Sequence, residues 1–258
     1  MEVFRRLSLD TTEQVKNIPS SFFLDETGAL YACGINGYGQ LGLGDNSHRS
    51  TDTRVPLEEM VKTVVTSSYS TYVLTVSGAL YACGYNGCGQ LGLGDVRDRS
   101  TLTRISLGES VETVVTGNDS TFVLTVSGTL YACGDNDYGQ LGLGDRSNRS
   151  TLTRVPLEER VKMVGTGNSS TYVLAVSGTL YACGYNGSGQ LGLGDELNSS
   201  TLTRVPLEES VKTVALRGIS TFVTTVSGVL YACGQLGLED GQRQSTLRMV
   251  PVTEGVEA

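Results

Sequence analysis

The sequence predicts an all-β propeller of four-stranded antiparallel blades, on three observations. A 50-residue period runs through the chain, so that Leu30-Tyr31-Ala32-Cys33-Gly34 returns at 80–84, 130–134, 180–184 and 230–234 without drift. Each unit contains four short runs of strand character, separated by Gly-rich connections. No unit can hide both faces of its own sheet, because successive side chains point to opposite sides, so each sheet must stack on a neighbour. Repeats of about 40–50 residues with four strands apiece are the signature of sheets packed around an axis. Five units take up nearly all of the 258 residues, so one propeller domain over 1–258 is expected, with no room for a separate catalytic domain.

The second unit justifies its elements in order. Val61–Thr66 (VKTVVT) is short and β-branched, and residues 71–76 (TYVLTV) alternate bulky side chains between two faces, as a strand does. Ser77-Gly78 then supplies a tight turn, and residues 79–84 (ALYACG) make a third strand. Residues 85–95 (YNGCGQLGLGD) form a Gly- and Asn-rich loop before a fourth strand at 101–107 (TLTRISL). A solenoid is the alternative, but solenoid units are usually shorter and need polar capping units. Both chain ends offer a fourth-type strand: Arg6-Leu7-Ser8-Leu9 matches Arg54-Val55-Pro56-Leu57, and residues 247–251 match 202–206. The expectation is a closed five-bladed ring sealed by pairing of the N- and C-terminal strands. An open arc or closure by another copy is the alternative, and an arc would expose sheet faces and unpaired edges.

Composition narrows the function classes. Lys and Arg number 19 against 27 Asp and Glu, giving a net charge of −8 without any basic run. A nucleic-acid or anionic-membrane partner, which needs positive surface to displace counterions, is not expected. Met1-Glu2-Val3-Phe4-Arg5-Arg6 has no apolar signal region, no apolar run reaches membrane-spanning length, and the last residues lack the Cys that prenylation requires. A cytoplasmic monomer is expected.

Motifs that resemble chemistry dissolve on inspection. Cys33, Cys83, Cys133, Cys183 and Cys233 hold the same place in successive units, too far apart in a ring for disulfides, and read as small buried strand residues. Cys88 differs, standing in a loop where Tyr38 and Tyr138 occur in other units. Residues 37–42, 87–92 and 187–192 satisfy G-x-G-x-x-G, but a strand follows where a dinucleotide site needs a helix. The glycines are instead expected to allow positive φ, with Gln40, Gln90, Gln140 and Gln190 hydrogen-bonding loop amides and Asp45, Asp95, Asp145 and Asp195 capping the loop. His48 is the sole histidine, so no His-based triad or metal cluster can be assembled, and carboxylates one blade apart cannot pair for catalysis. The N-x-S matches at Asn118, Asn148, Asn168 and Asn198 matter only in the secretory pathway. No catalytic residue, metal or cofactor is expected.

The run G-x-N-x-x-G-Q-L-G-x-G at residues 84–94 and 184–194, followed by a fourth strand, resembles the regulator-of-chromosome-condensation repeat. The resemblance covers nearly the whole chain, in four full loop copies and a shortened fifth. Three departures stand out. Family members usually form seven blades and this chain encodes five; Thr71 and Cys83 stand where the family often has His and Trp; and the uniform spacing between Leu30 and Leu230 leaves no place for the β-wedge that the founding member pushes into its GTPase. The resemblance implies a protein partner, a small Ras-like GTPase, and nucleotide exchange as a candidate activity without covalent or metal chemistry. A general interaction scaffold is the alternative. Some bacterial members of the family act inside host cells, which would place this chain in the host cytosol.

Alternating strand direction puts the loop after the first strand of a unit (67–70) and the long loop after the third (85–100) on one rim. The Ser77-Gly78 turns and the Glu58-Glu59, Glu158-Glu159 and Glu208-Glu209 turns belong on the other. The Glu-rich rim is nearly uniform, whereas the first collects the differences between units. The fifth unit also lacks about five residues of the long loop beside 235–240 when its spacing is compared with the others. Tyr and Arg anchor interfaces most often, which selects Tyr69, Tyr85, Arg97, Arg99, Tyr185 and Arg217 as partner-binding candidates. Asp119, Asp135, Asp137 and Glu196 are the candidates to meet basic surface on the partner.

Overall fold

A computed structural model describes residues 20–236 and 243–251, and among these every regular element is a strand. The first sheet holds β1 (Ser21–Leu24), β2 (Leu30–Gly34) and β3 (Arg49–Arg54). The second runs β4 (Val61–Thr66), β5 (Ser70–Thr75), β6 (Leu80–Gly84) and β7 (Arg99–Ile105), and the third β8 (Val111–Thr116), β9 (Ser120–Thr125), β10 (Leu130–Gly134) and β11 (Arg149–Arg154). The fourth comprises β12 (Val161–Thr166), β13 (Ser170–Ala175), β14 (Leu180–Gly184) and β15 (Ser199–Arg204). The fifth is β16 (Val211–Arg217), β17 (Ser220–Thr225), β18 (Leu230–Gln235) and β19 (Arg243–Met249). All pairings are antiparallel meanders, as the four-run pattern predicts.

Strand ends shift slightly from the sequence reading. The second strand stops at Thr75 because the Gly78 amide donates back to the Thr75 carbonyl, closing the turn, while the Val76 amide leaves the hairpin for Met60 O. The fourth strand begins early, at Arg99, because Gly84 pairs with Arg99 across a bulge that skips Cys83.

The core lies between sheets. Tyr72, Leu74, Leu80, Ala82 and Ile105 of the second sheet pack on Val111, Val114 and Val123 of the third, and the same arrangement recurs at the next seams. The first four sheets also pass their long loops forward, bridging Leu43 to Thr101, Leu93 to Thr151, Leu143 to Thr201 and Leu193 to Thr246. The strand cysteines join this fastening. The Cys83, Cys133, Cys183 and Cys233 thiols point at the carbonyls of Gln40, Gln90, Gln140 and Gln190 of the preceding sheet, at 3.1–3.5 Å. Burial pushes the Cys83 thiol up to about 12, so these groups act as small neutral donors and not as nucleophiles. Inner strands meet near the axis, where Thr166 Oγ1 donates to Thr116 O at 2.9 Å.

The faces of the first and fifth sheets that lie outside these seams are chemically different. Asp52 stands where Leu102, Leu152, Leu202 and Leu247 enter the seams, and Thr224 where Leu74, Leu124 and Leu174 are buried. Phe23 is 42% exposed although its counterpart Val73 is fully covered. The expected terminal pairing involves residues 6–9, and the shortened loop residues 237–242; both lie outside the described residues. The C-terminal strand β19 completes the fifth sheet beside β18.

At the rim opposite the long loops, Glu59, Glu109, Glu159 and Glu209 accept from Ser77, Ser127, Ser177 and Ser227 and from the Tyr81, Tyr131, Tyr181 and Tyr231 hydroxyls. These bonds, the tyrosine first for Glu59 and the serine first for the others, hold all four carboxyls below the ordinary glutamate value. A depressed folded-state pKa contributes stability that is present above the unfolded value and lost as pH falls through the folded one. The melting temperature is therefore expected to fall as pH drops below about 4.3. A variant with all four Glu→Gln should be less stable at neutral pH and show a shallower acid fall in circular-dichroism melts. Parallel curves for the two proteins would remove the rim glutamates from this account.

Candidate functional site

The two kinds of irregular connection share one rim. Gln90 Nε2, in the long loop of the second sheet, donates to Asp119 Oδ1 in the short β8–β9 loop of the third at 3.0 Å. Tyr38 of the first long loop lies 5.0 Å from the ring of Tyr69 in the β4–β5 loop. Residues from the short loops, among them Ser67, Asn118, Asn168 and Gly218, also line a depression of about 450 Å³ where the inner strands converge.

The long loops of the first four sheets are built alike, which fixes what they present. In the third sheet the buried Asn136 donates through Nδ2 to the carbonyls of Asp145 and Ser147 at 3.0 and 3.1 Å, and accepts the Leu141 amide at 2.9 Å. Gln40, Gln90, Gln140 and Gln190 accept the amides of Tyr38, Cys88, Tyr138 and Ser188 through Oε1 at 2.9–3.0 Å, as expected from sequence. Asp45, Asp95, Asp145 and Asp195 cap the loop by accepting the amide two residues on. Gly39, Gly42 and Gly44 adopt φ of 79°, 70° and 91°, and a Cβ on Gly39 would lie 2.4 Å from Ser100 Cα of the next sheet.

On this frame the variable positions form an aromatic, then acidic, then aromatic strip. Tyr38, Tyr69 and Tyr85 cluster at the first seam, with Tyr38 and Tyr85 edge to face at 5.2 Å. At the second seam Cys88 sits near Asp119, Asp135 and Asp137, all three of which add to the effect of burial in raising its thiol pKa. Burial first, and Asp135 second, also raise the Asp119 carboxyl, against the opposing Gln90 bond. At the third seam Tyr138 meets Tyr185 edge to face at 5.2 Å.

The remaining sequence candidates occupy the same rim with more ties. Arg99 is ion-paired with Asp95 at 2.8 Å, repeating Arg49–Asp45 and Arg149–Asp145 at 2.6 Å. Glu196 faces Arg243 of β19 at 3.4 Å. Arg97 and Arg217 are exposed, Arg217 at the end of β16. Tyr38 and Tyr138, each about 40% exposed, join the candidates as bridging rings. The signal that reveals them is positional, because residue 38 of one unit touches residues 69 and 85 of the next. Cys88 is half-buried and its thiol is made less acidic, which argues against a reactive nucleophile.

Among the described residues no cluster of His, Cys, Asp and Glu is arranged to hold a metal, and no helix is long and apolar enough to cross a membrane. The regulator of chromosome condensation (RCC1) repeat model matches residues 27–74, 77–124, 127–174 and 177–220, and a second model of that repeat matches 61–90 and 111–140. No curated protein sequence matches the chain. Among solved structures, human WBSCR16 superposes with a TM-score of 0.75 at 23% identity, over 91% of this chain and 65% of that one. Yeast RCC1 (Prp20), solved bound to Kap60, gives 0.72 at 18% identity over 91% and 62%. Prp20p from Saccharomyces cerevisiae, described with its binding properties to Gsp1p and histones, gives 0.52 at 17% over 91% and 75%. This chain thus spans less than two thirds of the first two solved chains, and the likeness at these identities is one of fold, a β-propeller.

Proposed function

Because the chain belongs to the regulator of chromosome condensation repeat family, we propose that its long-loop rim docks a small Ras-like GTPase and promotes release of the bound guanine nucleotide. The observation that carries this reading is the strip of Tyr38, Tyr69 and Tyr85, then Asp119, Asp135 and Asp137, then Tyr138 and Tyr185, on the one rim where the repeats differ. Rigid aromatic anchors supply contact energy at low entropic cost, and the acidic centre suits a basic patch such as one that binds phosphate. Exchange requires tighter binding to the nucleotide-free partner, and a thousandfold preference corresponds to about 4 kcal/mol. No side chain need do covalent chemistry.

The test is release of fluorescent nucleotide from purified small GTPases. We expect complex formation that is strongest without nucleotide, and Tyr85→Ala should weaken it about 30-fold, as loss of a 2 kcal/mol anchor does. A second reading, docking without exchange, is favoured by the unbroken repeat spacing, which leaves no inserted segment between Leu30 and Leu230 to act as a wedge. Binding with unchanged release rates selects that reading, and absence of binding to any GTPase removes the first.

A further inference from the structure

The glutamine of each long loop exposes a difference between seams. Gln90 Nε2 donates to Asp119 Oδ1 at 3.0 Å, and Gln140 Nε2 donates to Asp135 Oδ2 at 2.7 Å. The equivalent Nε2 atoms of Gln40 and Gln190 are buried and have no acceptor in the protein. The cause is in the sequence. Asp119 and Asp135 correspond to Tyr69 and Ile35 around Gln40, and to Ile219 and Tyr185 around Gln190. Only an aspartate at one of these two positions satisfies the amide.

Gln40 is 2% exposed, and both of its oxygens are engaged: Oε1 accepts the Tyr38 amide at 3.0 Å and its carbonyl accepts the Thr71 hydroxyl at 2.8 Å. It lines an opening of about 420 Å³ between the first and second sheets, together with Ile35, Tyr69, Ser67, Ser68 and Ser70. A buried donor without a partner is destabilising, so this amide favours an acceptor arriving from outside.

We propose that the niche formed by Gln40, Ile35, Tyr69 and the serines of the β4–β5 loop is a receptor for a carboxylate, bound as Asp119 and Asp135 are bound by the sister glutamines. No Asp or Glu lines it, so an incoming acid meets serine hydroxyls and an amide donor there. At the second seam the same acid would face Asp119 and Asp135. The carboxylate comes either from an Asp or Glu side chain of a docked protein or from a free small acid. The inference goes beyond the docking proposal and holds whichever protein the rim engages.

The test follows the side-chain amide resonances of the glutamines in ¹⁵N-labelled full-length protein during titration. The probes are N-acetyl-aspartate N-methylamide, its asparagine analogue, and acetate. The Gln40 resonances should shift saturably with the aspartate probe and at least about tenfold more weakly with the asparagine probe, while those of Gln90 stay in place. Tighter binding of the aspartate probe than of acetate assigns the niche to a protein side chain, and equal binding assigns it to a free acid. Tyr69→Asp, which installs the internal acceptor without removing Gln40, should abolish the response. Asp119→Tyr should transfer it to Gln90. Silence of Gln40 towards all probes, an equal response to aspartate and asparagine, or an undiminished response in Tyr69→Asp overturns the proposal. None of these results depends on GTPase binding, which is measured separately.

Discussion

Replacing Gly134 by alanine is expected to destabilise the protein by roughly 3–5 kcal/mol, combining a strained left-handed backbone with a close clash. Gly134 ends β10 at φ 99°, where the sheet shifts register between Ala132 and Gly134. A Cβ there would lie 2.2 Å from Asp119 O and 2.9 Å from Ser120 Cα, which are backbone atoms of the adjoining strand and its loop and cannot swing aside. That Asp119 carbonyl also accepts the Asp135 amide at 2.8 Å, so any relief of the clash moves the acidic centre of the rim. Thermal unfolding should show a midpoint lowered by about 10 °C. Gly108→Ala, at a position with open space around it, should stay within about 0.5 kcal/mol of the parent. Equal melting of the two variants would mean that the Gly134 backbone relaxes freely.

Asn136→Ala should cost about 3 kcal/mol. The side chain is fully buried, and its loss strands the Leu141 amide and removes the donor shared by the Asp145 and Ser147 carbonyls. An orphaned buried backbone group costs about 1–3 kcal/mol, and the two carbonyls add to it. Asn136→Asp separates the contributions, because it keeps the acceptor for Leu141 but turns a second oxygen towards those carbonyls. It should therefore be destabilised as well, more so at neutral pH than in acid. Urea titration measures the loss, and hydrogen exchange should quicken at the Leu141 amide while the equivalent Leu91 amide stays protected. An Asn136→Ala protein as stable as the parent would show that the loop is held elsewhere.

The repeat made the blade legible. A strict period, β-branched runs and Ser-Gly turns dictate strand identity, and alternation of direction dictates that short and long loops share a rim. Less legible was the traffic between units, because it depends on which residue of one repeat meets which of the next. Tyr38 and Tyr138 read as loop aromatics within their own units, yet they bridge to Tyr69, Tyr85 and Tyr185 across seams. Arg99 reads as a partner-facing charge from its variable surroundings, whereas the recurring Asp-x-x-x-Arg spacing at 45/49, 95/99 and 145/149 already encoded its ion pair. The glutamines read as loop fasteners, which holds for Oε1, but the fate of Nε2 is set 29 residues further along, at Asp119 for Gln90.

The forward-passed loop gives every seam a polarity. Leu93 reaches Thr151 just as Leu43 reaches Thr101, so the second, third and fourth units each carry a plug on one side and a matching socket on the other. Such head-to-tail joints accept any number of like members, which means that a duplicated 50-residue segment spliced between the second and third units would find ready-made surfaces on both flanks. Lengthening such an array requires no new kind of packing, only a change in how it curves.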